Sequence, residues 1–362
     1  MQTTEVLEPK APASRSMIEL VSQAWAWVFL LSLIVFFSIT GQGFFSLTNF
    51  QNIGANMAFV LLMAIGQTFV IISAGIDLST GYVMGLAAVV GAIAVTSLAP
   101  DTPLLVVISV ALAAGLVGGL IPGFINGWLI ARLNVPPFIV TLGMFGIARG
   151  LAFLGTGGLP IPIRIPGFGQ IGNGYLFYSH PEAGTSFFSI PVGLTGPQLR
   201  EVTSFLPHPV TLIIVAVIIA HFLLSRTRFG LHVYAIGGSR EAALRAGIPV
   251  QKRTIQIYIL SSLFAAVAGV LYITRFTSGA ANAGEALLLD SIAAVVIGGA
   301  SLFGGGGTII GTVIGALIIA IIQNGLVIMA VNPFWQFVAV GIVIILAVLI
   351  DQAKERVLKE KG

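Results

Sequence analysis

Cysteine is absent from the 362-residue chain, which excludes disulfides and thiol chemistry. Charge is scarce: Asp, Glu, Lys and Arg make up 8% of the residues, against roughly 25% in a soluble domain. So few charges cannot cover a water-exposed globule, and 57% of the chain is hydrophobic. The sequence is that of an integral membrane protein. Short alternating segments are also missing, so the spans are helices and not the strands of a barrel. Catalytic patterns are missing too. The run Gly304–Thr308 is not followed by Gly-Lys-Ser or Gly-Lys-Thr and makes no phosphate loop. There is no His-Glu-x-x-His pattern and no Ser-His-Asp constellation. His180, His208, His221 and His232 are scattered, which suits surface or packing roles better than metal ligation. The expectation is a chain that is no enzyme and holds neither metal nor cofactor of its own.

What is present is a series of about ten apolar runs, each near the ~20 residues that a bilayer core requires. They fall at 22–40, 56–74, 80–98, 103–131, 137–155, 209–225, 254–274, 286–302, 308–329 and 333–350. The fourth is too long for one straight span, and Gly115, Gly118, Gly119, Pro122 and Gly123 predict that it bends or breaks. Residues 1–20 read as an N-terminal tail, 21–352 as the membrane domain and 353–362 as a basic C-terminal tail. The first apolar run has no small-residue cleavage site and reads as a retained span.

Threading the runs with the N-terminus inside leaves only Arg149, Arg164, Arg200 and Arg275 of the 17 basic residues outside or near outer ends. That excess of inside charge supports this orientation. It also favours an even number of spans, because the C-terminal tail is basic. Residues 156–208, rich in Gly, Pro and aromatics, then face outward as a cap with one short helix. A short internal similarity relates Ser73–Gly81 to Ile297–Gly305, matching Gly75, Leu78 and Gly81 to Gly299, Leu302 and Gly305. It hints at two related halves, each with a span interrupted by a Gly-rich break.

The longest polar, basic segment between apolar runs is Arg226–Arg253. Gly237 and Gly238 make a turn, Ser239 is an N-cap for a short helix Arg240–Ala246, and Gly247 before Ile248-Pro249 stops it. A short capped helix on the side where Lys and Arg collect is a shape that another protein can grip. A solvated basic loop that only fixes topology is the plainer alternative.

Few polar residues interrupt the spans. Asp77 lies in Ala-Gly-Ile-Asp-Leu-Ser-Thr-Gly between two apolar runs. A carboxylate there costs a few kcal/mol unless it is paired or caps a helix. It either lines a permeation path or helix break or caps the next span, and capping is favoured for it and for Asp290. Gln67, Thr68, Ser79, Asn126, Ser301, Gln323 and Asn324 could face a solute path, although interhelical hydrogen bonding is the default use of such residues in membranes.

Taken in order, these motifs resemble the permease subunit of bacterial ABC importers for monosaccharides of the ribose, xylose, arabinose and galactose type. The residues that carry the resemblance are Gly75–Gly81, Pro136–Gly143 with Ala148–Gly150, Tyr234–Ala243 with Gly247-Ile248, Leu289–Leu302 and Ile345–Asp351. The similarity spans roughly residues 40–352. It implies an all-α polytopic fold of the cobalamin-importer-like (type II) kind, with about ten transmembrane helices, a possible inverted repeat and both termini cytoplasmic.

The resemblance further implies a dimer with a second permease subunit, identical or different, in the bacterial inner membrane. Gly238, Ser239, Arg240, Glu241, Ala242, Ala243, Arg245 and Gly247 would form a coupling helix seated in an ABC ATPase subunit, which would bind the ATP and Mg. A periplasmic or lipid-anchored sugar-binding protein would deliver solute to the outer face, and no nucleic acid is involved. The 156–208 region departs most from the family pattern. Two alternatives stay open: a nucleoside or branched-chain amino acid permease of the same superfamily, and an ion-coupled secondary transporter with Asp77 or Asp290 as proton or sodium site. Against the last, neither acid lies clearly mid-span, and the basic loop would have no purpose.

Overall fold

The computed structural model describes residues 17–332 and 334–359. Ten apolar helices appear where the apolar runs predict them: α1 (Met17–Thr40), α2 (Leu47–Ile72), α3 (Thr80–Thr96), α4 (Leu104–Arg132), α5 (Pro137–Thr156), α7 (His208–Arg226), α10 (Val250–Phe276), α11 (Glu285–Ile297), α12 (Ile309–Ile328) and α13 (Phe334–Lys359). Of these, α2, α4, α5, α7, α10 and α12 are long and apolar enough to cross a membrane. The apolar stretches of α1, α3 and α13 are shorter. At 13 residues, α11 extends only about 20 Å and cannot cross a ~30 Å core alone. Of the expected tails, residues 1–16 and 360–362 lie outside the described residues, since α1 already includes 17–20 and α13 runs to Lys359.

The bundle is built around α2, whose most apolar window is 94% buried. A helix that is apolar on every side belongs in the centre, and α7, α10, α11 and α12 pack around it. By contrast, the corresponding windows of α4, α5 and α7 are only 28% buried, and their bare Leu, Ile and Phe side chains form the surface.

The expected break in α4 does not occur; the helix runs unbroken through Pro122. Its glycines serve packing instead. Gly115, Gly119, Gly123 and Gly127 recur every four residues and lie directly against Val270, Ala266, Ser262 and Ile255 of α10. At Gly127 an added Cβ would come within 2.7 Å of the Ile255 Cα. The two antiparallel helices therefore touch nearly backbone to backbone, as small-residue stripes permit in membranes.

One end of the bundle carries the cap. It contains β1 (Ile161–Pro162), α6 (Phe168–Asn173), β2 (Tyr175–His180), β3 (Gly184–Phe187) and β4 (Thr203–Pro207). The one short helix is there, but so is an antiparallel sheet in the order β3-β2-β4, an exception to the all-α expectation. β1 pairs with β5 (Ser278–Gly279). Gln51 of α2 donates to the Ser204 carbonyl of β4 at 2.8 Å, which ties the start of α2 to the cap. The opposite end carries two short helices, α8 (Arg228–Gly238) and α9 (Arg240–Arg245). The sequence reading foresaw α9 but took the α8 stretch as loop. Thr227 caps α8 by accepting from Gly230 N–H, and the aliphatic residues Val233 and Ile236 turn that helix inward.

Candidate functional site

At the α8–α9 end, Ser239 Oγ accepts from Ala242 N–H at 3.2 Å and starts α9. Gly247, at φ +76°, ends it, with Ile248 N–H bonded back to the Ala243 carbonyl. This is a Schellman stop, which favours glycine at the left-handed position. Ala243 is buried with Ile236 and Val250, so one face of α9 is clasped between α8 and α10. The other face is bare: Arg240, Glu241, Ala242, Leu244 and Arg245 are exposed. Glu241 and Arg245 pair at 3.6 Å in full contact with solvent, a link of little energetic value and one that a partner's charges can replace. Arg240 reaches Asn134 at 3.3 Å. Gly238 is exposed beside them.

The α8 helix is anchored at three points. Tyr234 donates to the Gly307 carbonyl at 2.7 Å. Arg253 Nε of α10 donates to His232 Nδ1 at 2.9 Å, and its guanidinium lies 5.7 Å from the centre of the Phe229 ring. Burial lowers the His232 pKa, and the neighbouring Arg253 and Arg228 charges lower it further. Gly237 makes the tightest contact: a Cβ there would sit 1.7 Å from the Ile72 carbonyl oxygen and 2.6 Å from Gly305 N. Those two atoms are hydrogen-bonded to each other at 2.8 Å. Gly237 thus rests on the end of α2 and on the 298–308 loop at once.

Both of those places are helix breaks of one design. Helix α2 ends with Ala74 at φ +61° and Gly75 N–H bonded to the Val70 carbonyl; α11 ends with Gly299 at φ +86° and Ala300 N–H bonded to the Val295 carbonyl. The geometry aligns Ala74 with Gly299, one residue off the register suggested by the sequence match. Both helices run toward the α8–α9 end, and α3 and α12 lead away from it.

The first break is held by a buried carboxylate. Asp77 Oδ1 accepts from Ser79 N–H at 3.0 Å and Ser79 Oγ at 2.6 Å, while Oδ2 accepts from Ser261 Oγ of α10 at 2.9 Å. Asn126 of α4 donates to Ser79 Oγ at 3.0 Å. Gln67 of α2 donates to the Asp77 carbonyl and to Thr80 Oγ1. The N-cap of α3 is Ser79, not Asp77. Asp77 instead makes an Asx turn onto the cap residue and fastens α3 to α10.

Gln67, Asp77, Ser79 and Asn126 are therefore brought together, all fully buried. The other expected path residues lie elsewhere. Thr68 bonds Thr312 of α12 at 2.7 Å. Ser301 accepts from Phe303 N–H inside the second break. Asp290 lies within α11 and not at its start, so it caps nothing; its Oδ2 accepts from Gln323 at 2.9 Å. Asn324 exchanges hydrogen bonds with Asn49. The sequence reading missed Ser261, Tyr234 and the seat of Gly237. The Ser261-Ser262 pair inside an apolar run was the available signal. Among the described residues, no group of three His, Cys, Asp or Glu could hold a metal.

A helix bundle with two interrupted spans joined to a surface helix is the layout of a transport permease. Residues 49–348 match the family described as "Branched-chain amino acid transport system / permease component", and the chain belongs to that family. Its relatives include the ribose import permease protein of Escherichia coli strain K12, 36% identical over 90% of this chain and 92% of the relative. The ribose import permease protein of Bacillus subtilis strain 168 is 39% identical over 90% and 91%. The xylose transport system permease protein of E. coli strain K12 is 34% identical over 90% and 91%. No solved structure matches the chain. The resemblance drawn from the sequence motifs is borne out, and the chain is a multi-pass inner-membrane permease.

Proposed function

We propose that this chain is the membrane-spanning subunit of an ATP-driven, binding-protein-dependent importer of a monosaccharide or related polyol. The relatives' named solutes, ribose and xylose, support the solute class. ATP and Mg sit on a separate ABC ATPase subunit, into which α9 docks through Arg240, Glu241, Leu244 and Arg245. A binding protein delivers solute at the cap, a second permease subunit completes the path, and both termini are cytoplasmic.

The observation that carries this reading is the seat of Gly237 on Ile72 and Gly305. A push on α9 reaches α8 and through it both helix breaks. The first break is in turn tied to α10 by Asp77 and Ser261. Movement of a partner at the surface is thereby converted into movement of α3, α10 and α12 in the membrane.

The test is co-purification of the permease with its ATPase, and ATP-driven uptake in proteoliposomes. Glu241→Lys and Gly247→Asp leave the permease folded and cut uptake at least tenfold. Either variant retaining a fully coupled ATPase overturns the docking assignment, and uptake by the permease alone overturns the importer reading.

A further inference from the structure

A cavity of about 320 Å³ opens between α2, α11, α12 and α13. The Gly237 seat is at the far end of α2: Val60, on the cavity wall, is 12 residues before Ile72, or about 18 Å along the helix axis. The cavity therefore lies toward the cap. Its floor is apolar, with Ile53, Met57, Val60 and Ile319 buried. Four carboxamides stand around it: Asn56, Gln323, Asn324 and Gln336. Among the described residues, no charged side chain lines it.

Two charged residues stand behind two of these amides and fix their orientation. Asp290 accepts from Gln323 Nε2 at 2.9 Å. Because a carboxylate is an acceptor, Gln323 turns its amide nitrogen there, uses one of its two N–H groups, and leaves Oε1 free to accept. Arg275 Nη2 donates to Asn56 Oδ1 at 3.0 Å. Because a guanidinium only donates, Asn56 presents its amide N–H groups as donors. The charges are consumed in orienting amides, and the cavity is left lined by neutral groups, with Asn56 turned to donate and Gln323 Oε1 turned to accept. A sugar hydroxyl both donates and accepts, and the apolar floor suits the C–H face of a sugar ring. A zwitterionic amino acid would enter with two charges and meet no counter-charge, which is expensive in a low-dielectric site.

We infer that this cavity is a solute-selecting site on the import path, taking a neutral polyhydroxylated molecule of monosaccharide size through Asn56 and Gln323 and discriminating against amino acids. The inference rests on the sugar-import reading and names the residues that carry its selectivity. Its volume is at the lower end of small-molecule sites and is enough for one sugar ring.

The experiment uses the assembled importer, with ATPase and binding protein, in proteoliposomes energised by ATP. Uptake of radiolabelled D-ribose, D-xylose and L-leucine is measured for wild type, Asn56→Leu, Gln323→Leu and Gln336→Leu. Co-purification with the ATPase serves as the control for folding, and Gln336, half-buried at the start of α13, is the substitution least able to disturb it. The expected result is pentose uptake by wild type without leucine uptake. Pentose uptake falls at least tenfold in Asn56→Leu and Gln323→Leu and about threefold in Gln336→Leu. Wild-type pentose uptake with all three variants equally active overturns the site and leaves the importer reading standing. Leucine uptake by wild type without pentose uptake overturns both.

Discussion

The break at 73–79 and the break at 298–308 end their helices with the same hydrogen-bond pattern and are gripped by the same glycine of α8, yet they are built from opposite materials. The first is fastened by side chains: Asp77, Ser79, Ser261, Asn126 and Gln67 lock the turn to α4 and α10 and back onto α2. It even tolerates alanine at the left-handed position, Ala74. The second is almost bare backbone, with Gly299, Gly304, Gly305 and Gly307 all at positive φ. A hinge fastened by side chains transmits force and resists bending, while one made of glycine can take up a change of φ and ψ at low cost. The pairing of one stiff and one compliant break beneath α8 gives that helix one fixed seat and one yielding one.

The largest effect that tests this comparison comes from the residue the two breaks share. Gly237→Val places side-chain atoms on the Ile72 carbonyl and on Gly305 N, so α8 must lift from both breaks; ATP-driven uptake is expected to fall by at least tenfold in proteoliposomes. Asp77→Ala comes next. It strips three donors of their acceptor in a dry interior and lowers stability by roughly 3 kcal/mol, read as unfolding in detergent. Ser301→Ala, the counterpart in the compliant break, is expected to cost under about 1 kcal/mol. A smaller contrast sets the left-handed positions against each other. Gly299→Ala costs about 1–2 kcal/mol, whereas Ala74→Gly changes stability by less than about 1 kcal/mol, since relief of strain offsets added chain entropy. Equal effects at the two breaks in these pairs would remove the distinction between them.

The smallest expected effect is on pH. The His232 pKa in the folded protein lies below its ordinary value of 6.5, through burial and then Arg253 and Arg228. The unfolded chain therefore binds the proton more readily, and stability rises with pH in that window. The Arg253–His232 contact is complete above about pH 6.5 and is lost as pH falls below it through the depressed value. His232→Gln is expected to flatten that part of the melting-temperature profile between pH 7.5 and 5.

The places of the ten apolar helices were legible in the sequence because run length and the scarcity of charge are one-dimensional properties. Helix α9 was legible because its Ser239 cap and Gly247 stop are local signals. The α4 glycines misled the sequence reading. Spacing of four along a helix signals a packing stripe, but which helix fills it is a three-dimensional fact. The Asp77 cluster was half legible. The residue stood out by its cost in the membrane, but its partner Ser261 lies 184 positions away, and the role of Asn126 emerges only through Ser79. Asp290 was misread for the same reason: its position near a span start suggested a cap, while Gln323 on the next helix claims its carboxylate. The α8 helix carries a helical period in its apolar residues, but it lies in a basic segment read as loop, and its two terminal glycines read as a turn.

The glycine ladder between α4 and α10 bears on how access can alternate. Two helices that meet at four successive turns form a welded spar, because sliding one along the other would drive Val270 or Ile255 into a backbone with no room to yield, and splaying them would give up the whole close-packed seam. Inward and outward gates must then open along other seams, with this pair travelling as a single piece of framework. The chain's longest helix is thus the part of the machine that does not flex.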